Sequence, residues 1–292
     1  MPLAMDETPV QIVVEDIAKA PVTRNILIHG PSGGGKTLLA GGAANGGRRV
    51  VFLSTETDGI APVRAIGAKA ELIRCSDWDH AASGISWAED NMTLDDWLVV
   101  DTGTKMQEFY RNWILARQKQ INPLRDIDIL AWQEYQKFYN GFKRWTDRII
   151  DGPFNSIFIC QSMAVDDGEE ERIVPLLLGR KGEISEYVSA QFSVALYYGV
   201  ARESRDMEGA ITRRALCQPY PPWFAKDRYS ALGKTWDVPE GEYWEMAKMI
   251  EAIDTKIRKG VGENGARATG ASRSVARGPG RPAGRVAAKA RR

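Results

Sequence analysis

The residues Gly30-Pro31-Ser32-Gly33-Gly34-Gly35-Lys36-Thr37 follow the order of a loop built to hold a chain of phosphates. Glycines at these positions free the main chain to turn successive N–H groups inward, toward anionic oxygens. Lys36 would carry an ammonium to the β and γ oxygens, and the Thr37 hydroxyl would serve as a ligand for Mg²⁺. Leu38 continues into a helix whose positive end faces the same anion. The apolar run Ile26-Leu27-Ile28 supplies the buried strand that such a loop follows. Gly30 through Leu38 are therefore the expected contacts of a nucleotide, with ATP and Mg²⁺ as the expected ligands.

Hydrolysis needs more than a cradle. Trp97-Leu98-Val99-Val100-Asp101 has the pattern of a buried central strand that delivers a carboxylate to the metal, so Asp101 joins Thr37 as the expected metal site. Thr102 follows where many ATPases place a glutamate base, so the base must come from elsewhere. Val50-Val51-Phe52-Leu53-Ser54-Thr55-Glu56 offers one: Glu56 falls just past the end of a strand, where open α/β sheets bind ligands and a carboxylate can orient water. Asp58 is the nearby substitute, and a solvated loop acid is the competing reading of Glu56. His29, at the strand end before the loop, reads as a packing residue.

The elements that must position these groups alternate between apolar β-type runs and helical stretches, the pattern of a mostly parallel sheet flanked by helices. Strands are expected at Asn25–His29, Val50–Ser54, Leu72–Cys75, Trp97–Asp101, Ser156–Gln161 and Phe192–Tyr198. Thr104–Gln120 and Asp128–Ile150 read as helices, the second carrying a core stripe of Trp132, Tyr135, Phe138, Tyr139, Phe142, Trp145 and Ile149. Ala195–Val200 and Arg213–Gln218 suggest a small antiparallel extension, and Glu240–Ile257 a last amphipathic helix. The fold class is thus α/β, organised as an extension over 1–23, a nucleotide-binding domain over 24–255 and a disordered basic tail over 256–292.

Composition narrows the class further. No apolar run approaches the ~20 residues that span a bilayer, and no leader pattern opens the chain, so no membrane partner and a cytoplasmic location are expected. Cys75, Cys160 and Cys217 are far apart and outside any C-x-x-C spacing, which suggests neither disulfides nor zinc. The net charge of +1 conceals an asymmetry, because residues 256–292 hold eleven Lys and Arg against Glu263 alone. The body is correspondingly acidic.

These residues together resemble the RecA-like P-loop ATPases, and within them phage-encoded proteins similar to single-strand-annealing recombination ATPases. The resemblance rests on Gly30–Thr37, Phe52–Glu56, Leu98–Thr102 and Ile157-Phe158-Ile159-Cys160-Gln161-Ser162, together with Pro175–Lys181 and Ala225-Lys226-Asp227-Arg228. It implies a RecA-like fold in which Glu56 is the catalytic base and Gln161 senses the γ-phosphate. It also implies that Lys226 and Arg228 reach the ATP of a neighbouring subunit, which requires a homo-oligomeric ring or filament.

The implied partner is single-stranded DNA, in recombination, repair or replication. One segment opposes this, since Asp166-Asp167-Gly168-Glu169-Glu170-Glu171 would repel a phosphate backbone. The basic tail, with Arg277-Gly278-Pro279-Gly280-Arg281-Pro282 within it, offers another route to a polyanion. The rival function is a nucleotide-dependent assembly or switch protein with little hydrolysis and no direct DNA role. A small-molecule kinase would need an arginine-rich lid, which no stretch between Asp101 and Gln161 resembles.

Overall fold

The computed structural model describes residues 14–17, 19–56, 58–126, 128–166, 168, 171–179, 182–202, 211–239 and 241–269. In chain order, β1 (Asn25–Gly30) leads through the glycine loop to α1 (Lys36–Gly41) and a 3₁₀ segment, Gly42–Gly47. Next come β2 (Val50–Ser54), α2 (Ala61–Ala65), β3 (Ala70–Arg74), α3 (Trp78–Asn91) and β4 (Trp97–Asp101). The helices α4 (Gly103–Ile121) and α5 (Trp132–Asp151) precede β5 (Asn155–Asp166), β6 (Glu171–Pro175) and α6 (Glu183–Gln191). The chain closes with β7 (Val194–Arg202), β8 (Ile211–Leu216), β9 (Lys226–Asp227), β10 (Thr235–Val238) and α7 (Glu245–Thr269).

The strands form one sheet in the order β10-β8-β7-β1-β5-β4-β2-β3, with β6 paired to β5 and β9 to β7. From β7 to β3 every pairing on this path is parallel, and β8 and β10 extend it antiparallel. The composition explains this placement. β2 and β4 are buried at every residue and read as near-continuous apolar runs, as strands covered on both faces must. β3 is half exposed and closes the sheet at its edge.

Two apolar layers cover the two faces. On one, Leu27, Leu53, Val100 and Phe158 pack under α3, α4, α5 and α6; on the other, Ile26, Phe52, Val99 and Ile157 meet α1 and α7. The alternation of neighbouring residues between layers is the period of a β-strand. Phe158 is fully buried in β5, between Trp145 and Phe192, with ring centroids 6.3 and 5.6 Å away.

Several elements differ from the sequence expectations. α3 and α6 are additional helices; α3 is started by Asp77, whose side chain accepts from His80 N, and buries Trp78, Ala81, Ile85 and Ala88 at helical spacing. In α5, Phe138, Phe142, Trp145 and Ile149 are core as expected and Tyr139 is half-buried, but Trp132 is 79% and Tyr135 39% exposed, both in the first turn of the helix. β5 does not stop at Gln161; it runs on to Asp166 and pairs antiparallel with β6, where Asp166 lies opposite Glu171 of the acidic segment. Asp167, Glu169 and Glu170 of that segment lie outside the described residues, as do Arg180 and Lys181.

At the C-terminus, α7 starts at Glu245 and continues past Ile257 to Thr269, carrying the first part of the expected tail as helix. Residues 270–292 lie outside the described residues, and so do 1–13 of the expected N-terminal extension. Among the described residues, no helix is long and apolar enough to cross a membrane.

The two layers make the central strand the test of packing. Phe158→Ala is expected to lower the unfolding free energy by about 3–5 kcal/mol. A denaturant midpoint shift with an unchanged slope would report it.

Candidate functional site

Sheet register brings the chemistry to one edge. Ser54 lies opposite Asp101, Asp101 opposite Ile159, and Gly30 opposite Gln161, so the carboxyl ends of β2, β4 and β1 stand level beside the middle of β5. Side chains delivered from these ends converge where an open parallel sheet binds ligands.

The glycine loop leaves β1 against the backbone of β7. A Cβ at Gly30 would lie 2.0 Å from the Tyr198 carbonyl oxygen, so no side chain fits there. Gly33 and Gly35 adopt φ of 73° and 86°, the left-handed region that turns the loop's amides inward. No atom lies within 4 Å of a Cβ built at Gly33, which leaves the cradle open on that side. Lys36 is buried, and its Nζ donates to Gly30 O at 3.1 Å and to Pro31 O at 2.7 Å. Burial holds its pKa below the ordinary ammonium range, opposed by Cys160, Asp101 and Glu56.

Thr37 and Asp101 meet directly. Thr37 Oγ1 donates to Asp101 Oδ2 at 2.9 Å. Asp101 is fully buried, and its other oxygen, Oδ1, has no hydrogen-bond partner among the described residues. Burial pushes the carboxyl pKa up to about 6; Glu56 adds to the rise, while the Thr37 hydrogen bond and Lys36 oppose it. A buried carboxylate with one oxygen unpaired, beside a hydroxyl and an anion cradle, is a donor set suited to a hard divalent cation. Thr37 and Asp101 therefore fit the Mg²⁺ expected of them.

The remaining expected residues fall in different places. Glu56 is exposed just beyond β2, folded over Gly59, and close enough to act electrostatically on both Lys36 and Asp101. Gln161 is half-buried beside Gly30; its N–H donates to Thr104 Oγ1 at 3.1 Å and its carbonyl accepts from Leu176 N at 2.7 Å.

Lys226 and Arg228 lie elsewhere. Arg228 N bonds to Ser193 O, and Ser193 N to Asn25 O, which sets Arg228 level with the start of β1 rather than its end. Lys226 Nζ donates to Ser189 O at 2.7 Å and Ala190 O at 2.9 Å, and Arg228 Nη2 to Ala190 O at 2.5 Å. Both cations thus cap the C-terminus of α6, where helix carbonyls lack partners. Burial lowers the Lys226 pKa to about 8, with Arg228 contributing.

Other residues support the site without a motif to announce them. Thr55 N donates to Asp101 O at 2.8 Å, tying the end of β2 to the end of β4. Thr104 Oγ1 also donates to Leu176 O, so it links α4, β5 and the segment after β6. His29 is fully buried, with Nδ1 2.9 Å from Ser162 Oγ and Nε2 2.7 Å from Phe224 O. Because a carbonyl only accepts, Nε2 carries the proton and Nδ1 accepts from Ser162. Burial lowers the His29 pKa to about 4; the bond to Phe224 opposes this and Lys36 adds to it, so the ring stays neutral at neutral pH. Its expected packing role thus includes two hydrogen bonds. The only forward signal for these residues was a polar side chain directly after or inside an apolar run.

The raised Asp101 pKa has a measurable consequence. Its folded value lies above the ordinary 3.8, so its contribution to ligand-free stability is present below 3.8 and is lost as pH rises through about 6. Metal binding needs the ionised form, so affinity for Mg²⁺-nucleotide is expected to fall about tenfold per unit below pH 6. Calorimetry in buffers of different ionisation enthalpy should detect about half a proton released by this carboxyl at pH 6, approaching one at pH 5 and below, and Asp101→Asn should remove that release.

The sequence profile of the AAA domain family matches residues 23–229, the span from the approach to β1 through β9. No curated protein matches the chain.

Proposed function

The chain belongs to the AAA domain family, and from that premise we propose that it binds ATP with Mg²⁺, hydrolyses it, and acts on single-stranded DNA as a RecA-like homo-oligomer. The observation that carries the hydrolytic part is the Thr37–Asp101 pair, with Asp101 Oδ1 unpartnered beside the glycine cradle.

Each side chain then has a task. The loop amides and Lys36 hold the phosphate chain; to do so Lys36 exchanges its two loop carbonyls for phosphate oxygens. Thr37 and Asp101 hold Mg²⁺, which when bound neutralises charge on the β and γ oxygens. Glu56 orients the attacking water and accepts its proton, a role that suits an exposed carboxylate at the site's edge. Gln161 reads the γ-phosphate, and its bonds to Thr104 and Leu176 connect that reading to α4 and the segment after β6. Lys226 and Arg228 serve a neighbouring subunit's ATP only by leaving the α6 carbonyls, so in this reading they are the nucleotide-dependent part of the subunit contact.

The DNA part is supported by the basic residues 270–292 and by the resemblance to phage recombination ATPases. The acidic residues at 166–171 favour the rival reading, an assembly switch with no DNA contact.

Two experiments test these halves. Glu56→Gln is expected to keep ATP affinity while turnover falls about 10²- to 10⁴-fold; unchanged turnover would remove Glu56 from the mechanism. For the partner, the full chain should bind labelled single-stranded DNA with a steep salt dependence, and a chain ending at Thr269 should lose up to ~5 units of the log–log slope. Equal, salt-insensitive binding by both would assign the DNA contact elsewhere.

A further inference from the structure

The phosphate loop has a second cation against it, from the opposite side to the metal pair. Asp101 stands two strands from β1 in one direction, across β5; β8 stands two strands away in the other, across β7. Arg213 of β8 extends from there to Gly35. A Cβ built on Gly35 would lie 3.1 Å from Arg213 Nε and 3.7 Å from its guanidinium carbon. Gly35 is the last glycine before Lys36, with φ of 86°. The left-handed φ favours glycine there, and a Cβ would crowd the guanidinium and press it away from the loop.

Arg213 Nε is buried and has no hydrogen-bond partner among the described residues. The contrast with the next residue is informative. Arg214 points to the other face of β8, where its Nε donates to Asp237 Oδ1 at 2.5 Å. Around Arg213 the cleft is lined by Leu38, Tyr198, Pro239, Glu242 and Tyr243. Glu242 approaches Lys248 instead, at 3.7 Å. An enclosed guanidinium N–H with no acceptor, beside amides turned toward an anion, lacks one component: the anion.

We propose that Arg213 is a phosphate-positioning residue that holds the β-phosphate of the bound nucleotide from the β7–β8 side, while Lys36, Thr37 and Asp101 act from the other. This rests on the nucleotide-binding reading above and extends it to a strand outside the loop motif. Arg213 then ties the antiparallel extension to the diphosphate part of the ligand, which ATP and ADP share. The γ-phosphate is left to Gln161 and Glu56.

The test is equilibrium binding of Mg²⁺-ADP, Mg²⁺-ATP and, by competition, Mg²⁺-pyrophosphate to the wild-type chain, Arg213→Ala, Arg213→Lys and Lys36→Ala, with ligand-free melting temperature measured for each. Arg213→Ala is expected to weaken ADP, ATP and pyrophosphate by a common factor of about 10 to 100, with Arg213→Lys recovering part of the loss. The ligand-free melting temperature should hold or rise, since an unpaired buried donor is removed. A loss for ADP but not for pyrophosphate would make Arg213 a nucleoside contact and overturn the proposal, as would a loss accompanied by a lower melting temperature in both Arg213 variants. If the wild-type chain binds and Lys36→Ala does not, while Arg213→Ala matches wild type, the Arg213 assignment alone is wrong. If the wild-type chain binds none of the three ligands, the nucleotide reading itself fails.

Discussion

Burying one carboxylate at the end of a parallel strand is the constraint on which the rest of the site depends. Asp101 is fully enclosed, and its neighbours are arranged around that fact. Thr37 satisfies one oxygen, Thr55 and the register of β2 fix the backbone, and Lys36 supplies charge of the opposite sign nearby. Desolvation disfavours the ionised form, so the acid is poised to respond when a cation arrives. A more exposed aspartate would bind the same cation with less dependence on proton release.

The same economy governs the cations. Lys36 rests on two loop carbonyls, Lys226 and Arg228 rest on the end of α6, and Arg214 has Asp237. Arg213 differs, because its Nε is enclosed without an acceptor among the described residues. Burying an unpaired donor is unfavourable, and the position of this one, on the flank of an anion-binding loop, gives it a physical purpose. Likewise His29 is held neutral by burial, so no additional fixed charge lies beneath the loop.

Much of this was legible before any coordinates. The glycine loop is legible because cradling phosphates demands glycine, lysine and threonine at fixed spacing. β2 and β4 are legible because strands covered on both faces become unbroken apolar runs, Val50–Leu53 and Trp97–Val100, the second of which ends in Asp101. Other features depend on distant parts of the chain. Arg213 lies far from the loop in sequence, and only the pairing of β8 with β7 brings it to Gly35. Lys226 and Arg228 read as free cations in sequence because the carbonyls they cap belong to α6, a helix without a strong forward signal. The extension of β5 past Gln161 is set by its partner β6 rather than by its own composition.

The central claim is that this geometry turns over ATP and that the partner acts through it. Steady-state ATP hydrolysis by the full chain at low salt, with and without single-stranded DNA, tests it most directly. The account predicts Mg²⁺-dependent turnover well above that of Lys36→Ala, raised further by the DNA. Turnover no greater than that of Lys36→Ala under both conditions would contradict it.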